Sequence, residues 1–396
     1  MSAPTLPAAF DTPVHNGVDL FVIAGEHSGD QHAARVVEGL RRIKPGVRVA
    51  ALGGPALKRA GVQVLHDMTV FSAVGLVEVV ANYPFYKKLF TRTLDWIRTH
   101  RPKAVCLVDY PGFNLRLAEA LKKEGLSRAG GGDIAVYFYI SPQIWAWKSG
   151  RRHKMADTLD SLGVIFPFEL DCYKDTKLRV RFVGHPFVAP GHTAPVKFDR
   201  DAPVLLLPGS RPKAVRKIFP VLLQAWAEFR AKHPERRAVV IHPGEPVRGV
   251  LHQIMTEWPD EARGVDLVAG EESSGEPVRA CAALMSSGTM SLSVALAGIP
   301  GAIVYRANPI TWWLGAKLVG DRIQYLGIAN ILLGNPAWPE FLQGDADPEK
   351  LAARLEACVA DESVVASARD EAAKLVHLLG GTSGAPSPEA WLAEAL

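Results

Sequence analysis

Leu20-Phe21-Val22-Ile23-Ala24-Gly25-Glu26-His27-Ser28-Gly29-Asp30 is the stretch that decides the fold. Five apolar residues in a row, with no polar residue alternating, read as a strand buried on both faces. Gly25 stops the run, and the amphipathic stretch 30–43 follows at once, so the strand passes into a helix through a short turn. The same unit recurs outward from there. Further strands are expected at 48–52, 104–108, 135–140, 163–166 and 180–183, with a helix at 114–124. A second series runs through 204–207, 238–241, 265–268, 283–285 and 302–305, with helices at 213–232 and 290–297. Repeated strand–helix alternation predicts an α/β protein of parallel sheets covered by helices on both faces. The polar, proline-rich stretch 184–203 separates the two series and reads as a linker. Two Rossmann-like domains are therefore expected, 1–190 and 200–365, with a ligand in the cleft between them at the carboxyl ends of the strands. The tail from 347 is helical in pattern, and its last part, 366–396, is expected to cross back to the first domain.

The bulk composition agrees with a folded protein: 48% of the 396 residues are apolar and 22% are charged. The formal net charge of +4 is too small to argue for a nucleic-acid partner, and none is expected. It suits an anionic substrate or an anionic membrane surface. The four cysteines, Cys106, Cys172, Cys281 and Cys358, lie far apart and form no CxxC pair, which favours a reducing cytoplasm. The first sixteen residues lack a basic segment followed by an apolar one and read as a loose leader. No apolar run approaches the roughly 18 residues of a membrane span.

Several segments carry groups suited to chemistry. In the opening stretch, Glu26 and Ser28 lie at a strand end, where they either meet a ligand or, with Asp30, simply cap the helix. Asp109 ends the strand 104–108 and stands just before Tyr110-Pro111-Gly112-Phe113-Asn114. A carboxylate there can take a proton from an attacking hydroxyl, or else it caps the loop. In Ile140-Ser141-Pro142-Gln143-Ile144-Trp145-Ala146-Trp147-Lys148, the two tryptophans are followed by Arg151, Arg152 and Lys154. They can stack a sugar and hold a phosphate, or they form a packed aromatic pair beside a solvated basic face. Leu207-Pro208-Gly209-Ser210-Arg211 opens the second series, with Pro212 suited to the first position of a helix. A helix start beside Arg211 can attract a diphosphate, or it is a plain strand–helix connection. Ser286-Ser287-Gly288-Thr289 repeats that arrangement after a later strand. No HExxH or paired Cys/His cluster suggests a metal. Asp345-Ala346-Asp347 has DxD spacing, but Pro348 follows, so Asp347 reads as a helix N-cap.

Taken in order, these segments resemble the lipid-A-disaccharide synthase family over roughly residues 18–345. The matching pieces are AGEHSGD (24–30), GGPALKRAG (53–61), FSAVGLVEVV (71–80), VDYPGFN (108–114), YISPQIWAWK (139–148), FPFE (166–169), FVGHP (182–186), LPGSR (207–211) and SGT (287–289). The resemblance implies the GT-B fold and an inverting, metal-free and cofactor-free glycosyl transfer. The implied donor is UDP-2,3-diacylglucosamine, the acceptor is 2,3-diacylglucosamine 1-phosphate, and the product is the β(1→6) disaccharide 1-phosphate. It implies Asp109 as the base. Glu26, Ser28, Asn114 and Ser141 fall on the acceptor side. Gly209, Ser210, Arg211, Ser287, Gly288, Thr289, Asn330, Glu340 and Gln343 fall on the donor side. It also implies a cytoplasmic protein in peripheral contact with inner-membrane lipid through the apolar segment 70–90, which by its residues alone reads equally as a buried helix pair, and 310–314 adds a second apolar patch. A homodimer is left open. Ala214 and Ser293 stand where the family usually carries Glu. A related GT-B enzyme with another UDP-sugar donor, or a non-catalytic paralogue that binds lipid or nucleotide, is the alternative reading.

Overall fold

The computed structural model describes residues 6–7, 9–15, 17–69, 83–270, 276–308, 324–381 and 387–396. The chain divides into two compact units, Met1–Pro186 with Gly384–Leu396, and Phe187–Ser383. Each is an α/β unit built on a parallel sheet.

In the first unit the strands are β1 (Leu20–Ala24), β2 (Val49–Gly53), β3 (Gln63–Asp67), β4 (Ala104–Val108), β5 (Ala135–Tyr139), β6 (Ser161–Val164) and β7 (Arg179–Phe182). Their order across the sheet is β3-β2-β1-β4-β5-β6-β7. Every residue of β1, β2, β4 and β5 is buried, which is why their sequences are unbroken apolar runs. The helices α1 (His27–Ile43), α2 (Pro55–Arg59), α3 (Tyr83–His100), α4 (Pro111–Lys123) and α5 (Arg151–Thr158) connect them. One core gathers Phe21, Leu107 and Phe138 from the sheet with Trp96 of α3 and Leu117 of α4.

The second unit holds β9 (Val204–Leu207), β10 (Ala238–His242), β11 (Val265–Ala269), β13 (Ala282–Met285), β14 (Gly301–Tyr305) and β15 (Glu340–Leu342), in the order β11-β10-β9-β13-β14-β15. Its helices are α6 (Pro212–Lys232), α7 (Val247–Glu257), α8 (Thr289–Leu296), α9 (Ile328–Leu333), α10 (Pro348–Ala360) and α11 (Glu362–Leu378). Trp226 and Phe229 of α6 pack into a core with Leu206, Leu284 and Leu355. Asp347 caps α10, its carboxylate accepting the Lys350 amide at 3.2 Å.

The structure differs from the sequence expectations in three places. Helix α1 begins at His27 rather than Asp30, and Asp30 does not cap it. The fully buried Asp30 carboxylate instead accepts the amides of Gly54, Ala56 and Leu57 at 2.7, 2.8 and 3.2 Å, tying α1 to the start of α2. The expected linker 184–203 contains a strand, β8 (Val196–Phe198), because β12 (Val278–Ala280) offers it a parallel edge. The tail rejoins the first unit at Gly384, later than 366, since α11 buries Val365, Ala368, Ala372 and Leu375 within the second unit. The last helix, α12 (Pro388–Ala393), packs along α1. Its Trp391 is fully buried, donates its indole N–H to Ser161 Oγ at 2.8 Å and lies 5.0 Å from the Tyr137 ring. The membrane-facing expectation for 70–90 lies outside the described residues as far as 82, and 310–314 lies wholly outside them. Among the described residues no helix is long and apolar enough to cross a membrane.

Candidate active site

Both sheets reverse direction beside their first strand. In the first unit the chain builds outward from β1 to β3, then returns to set β4 against β1's other edge, with Ala24 opposite Val108. The loops after β1 and β4 therefore lead to opposite faces and leave a crevice at the carboxyl edge, which is where open α/β sheets bind ligands. Glu26 and Ser28 follow β1, and Asp109 and Asn114 follow β4.

These loops interlock. Asp109 and Tyr110 both adopt left-handed backbone conformations, with φ of 45° and 47°. Two consecutive non-glycine residues in that region are uncommon and cost on the order of 1–3 kcal/mol each. The turn is held by three groups. The Asp109 amide donates to the Tyr139 carbonyl at 2.9 Å. Asn114, fully buried on the first turn of α4, donates through Nδ2 to the carbonyls of Val108 and Asp109 at 3.2 and 2.7 Å. The Tyr110 ring lies over Gly25, so closely that a Cβ there would sit 2.4 Å from it. The Tyr110 hydroxyl also pairs with Tyr86 on α3.

The result is a half-buried carboxyl beside a second one. Burial, and then the charge of Glu26, push the Asp109 pKa up to about 6. Such a group accepts a proton near neutral pH, as a general base requires. Ser28 is exposed. Ser141 is turned inward: its hydroxyl is 2.7 Å from Tyr173 Oη and donates to the Pro142 carbonyl at 2.9 Å. Glu169 of the FPFE segment is buried, accepts the Phe166 amide at 3.1 Å, and is held protonated by burial with a pKa of about 8.

In the second unit the reversal lies between β9 and β13, whose ends pair Leu207 with Met285. The Ser286 amide donates to the Leu207 carbonyl at 2.8 Å, so 207–211 and 286–289 run side by side. Gly209 has a φ of +112°, open only to glycine at low cost, and this turns the loop into α6. Ser210, Arg211, Gly288 and Thr289 are exposed, and Ser287 is half-buried. No side chain caps α6 or α8. Pro212 has no N–H, and the Ala214 and Ser291 amides turn back to the Arg211 and Gly288 carbonyls, so the amides of Lys213, Thr289 and Met290 are the ones placed to meet an anion. Asn330, Glu340 and Gln343 do different work. Glu340 accepts the amides of Leu326 and Gly327 at 2.8 and 2.9 Å and Asn330 Nδ2 at 2.9 Å. Asn330 also donates to the Trp338 carbonyl and accepts its amide. Gln343 accepts the Ala307 amide at 2.8 Å. These three side chains shape the loops around β14 and β15. Among the described residues, no group of three or more His, Cys, Asp and Glu side chains gathers as a metal would need.

A family model described as Lipid-A-disaccharide synthetase matches residues 20–387. The Lipid-A-disaccharide synthase of Anaeromyxobacter dehalogenans is 36% identical over 381 residues, 93% of this chain and 94% of that protein. That of Nitrosococcus oceani is 34% identical over 344 residues, 84% of each chain. Among solved structures, the UDP-GlcNAc 2-epimerase of Neisseria meningitidis bound to UDP-GlcNAc superposes with a TM-score of 0.54 at 10% identity, covering 91% of this chain and 98% of that one. The kitacinnamycin glycotransferase superposes at 0.58 with 12% identity, covering 96% and 98%. At such identities the likeness is one of fold, and that fold is GT-B.

Proposed function

The chain belongs to the lipid-A-disaccharide synthetase family and is a glycosyltransferase, and from that premise we propose that it moves 2,3-diacylglucosamine from UDP to 2,3-diacylglucosamine 1-phosphate. The acceptor's 6-hydroxyl oxygen attacks the donor's anomeric carbon. UDP leaves from the opposite face with the bonding pair, which inverts that centre and gives the β(1→6) linkage. Asp109 takes the hydroxyl proton as the new bond forms.

The observation that carries this reading is the Asp109 carboxyl at the first unit's strand reversal, with Glu26 beside it and a pKa raised to about 6. Arg211 and the uncapped starts of α6 and α8 support a donor diphosphate site in the second unit, with Ser210, Ser287 and Thr289 as hydroxyl partners. That set supplies positive potential from the protein's own groups, so the step as proposed calls on no cation. The acyl chains of the proposed substrates favour a reaction at a membrane surface, proposed as the cytoplasmic face of the inner membrane, where the apolar segment 70–90 would meet lipid; exposed Tyr83 and the basic pair Lys87–Lys88 fit such a boundary.

The test is UDP release from UDP-diacylglucosamine in the presence of the monosaccharide phosphate. Asp109→Asn keeps the shape and removes the base, and should lower kcat by roughly 10²- to 10⁴-fold. Turnover equal to wild type would overturn the assignment. A donor screen belongs beside it, because Ala214 and Ser293 depart from the family pattern and the Ser293 hydroxyl is buried with no partner among the described residues. Faster transfer from a non-acylated UDP-sugar would favour a different donor.

A further inference from the structure

The loop after β5 contains an arrangement that the reaction above does not use. It leaves the sheet from the strand next to the one that carries Asp109, since Val108 and Tyr139 are paired neighbours. Its two ends are marked by left-handed non-glycine residues, Ile140 and Lys148, with φ of 67° and 54°. Four cations follow in close order. Two are neutralised: Arg152 by Asp175 at 2.6 Å and Lys154 by Glu119 at 3.3 Å. The other two, Lys148 and Arg151, have no carboxylate partner among the described residues, and both lie on one aromatic ring. Lys148 Nζ is 4.5 Å and Arg151 Cζ 5.6 Å from the Trp147 ring centre. Trp147 itself is 52% exposed. In the same loop Trp145 leaves its buried indole N–H without an acceptor, the ring wedged edge-on against Phe168 at 5.5 Å.

We propose that Trp147, Lys148 and Arg151 form a clamp for a phosphate monoester on the first unit. Two like charges held on one exposed ring repel each other, and among the described residues no carboxylate relieves that repulsion. A dianion placed between them does. Guanidinium offers a paired donor edge that matches phosphate oxygens, and the ammonium adds a point charge. The indole ring holds each head near itself before the ligand arrives, which reduces the ordering cost of binding. Neither charge can be accounted for as half of a surface ion pair, in contrast to Arg152 and Lys154. Assigning the bound group to the acceptor's 1-phosphate rests on the function proposed above, whereas phosphate binding itself does not.

The test is calorimetric titration of the full chain with glucosamine 1-phosphate, a soluble monoester. The Lys148→Gln/Arg151→Gln double variant should bind about tenfold or more weakly than wild type. Trp147→Ala should weaken binding with both charges intact, and Trp147→Phe should restore part of it. Arg152→Gln should leave this affinity unchanged, which separates the clamp from a neighbouring ion pair. Cosedimentation with phosphatidylcholine vesicles, with and without phosphatidic acid, identifies the source of the phosphate. A defect confined to the sugar phosphate points to substrate, and an equal defect on phosphatidic acid vesicles points to a lipid headgroup. Wild-type affinity of the double variant for both probes overturns the clamp. Absence of any glycosyl transfer would overturn the proposed function and leave this titration readable.

Discussion

At the scale of single residues, the Asp109 carboxyl makes the sharpest prediction. Burial and Glu26 both favour its protonated form, so the base is charged and usable only above about pH 6. The acid limb of kcat/KM should therefore rise through about pH 6. Glu26→Gln removes one of the two causes and should shift that limb to lower pH while burial keeps it above the ordinary carboxylate range. A limb unmoved by Glu26→Gln, measured as a pH–rate profile, would show that the two carboxyls do not sense each other. The same scale explains why residue types were easier to read than residue roles. Asp30 looked like a cap for its own helix, yet its three amide donors lie 24 to 27 positions away. Ser141 looked like a ligand contact, and its hydroxyl meets Tyr173 across 32 positions. Partners so distant in the chain leave no trace in local spacing.

At the scale of elements, the turn between β4 and α4 depends on Asn114, whose Nδ2 holds two carbonyls. Asn114→Ala should lower stability by about 1–3 kcal/mol, the typical cost of leaving buried polar groups unpaired. Thermal unfolding would show this, together with a fall in kcat. Asn114→Asp keeps the size but cannot donate, and should fail likewise. A raised acceptor KM with unchanged melting would instead make Asn114 a substrate contact. Strands with two buried faces were legible as apolar runs, and β1, β4 and β9 match the expected bounds. The strands missed were β3, β8, β12 and β15, with sequences QVLHD, VKF, VRA and EFL. Each carries polar residues because it is a sheet edge or part of a two-stranded ribbon with one side less covered. The loops of the candidate site could be placed from Gly25, Gly209 and the strand ends. The inward bonds of Asn330, Glu340 and Gln343 could not, because they depend on how β14 and β15 come together.

At the scale of the whole molecule, the first unit is closed by residues that follow the entire second unit. Trp391 fills a site against β5 and β6, and its indole N–H satisfies Ser161. Trp391→Ala should cost about 3–5 kcal/mol, as large buried aromatics do when truncated. Calorimetry should show the first unit's transition shifted down, and an unshifted melt would mean that α12 is dispensable. The return of the chain also sets a timetable. A ribosome makes β1 to β7 first, then all of Phe187–Ser383, and only then the helix that covers α1. Until that moment the nascent first unit presents an unfinished apolar face, and synthesis stalled anywhere before residue 387 leaves it open to proteases and chaperones.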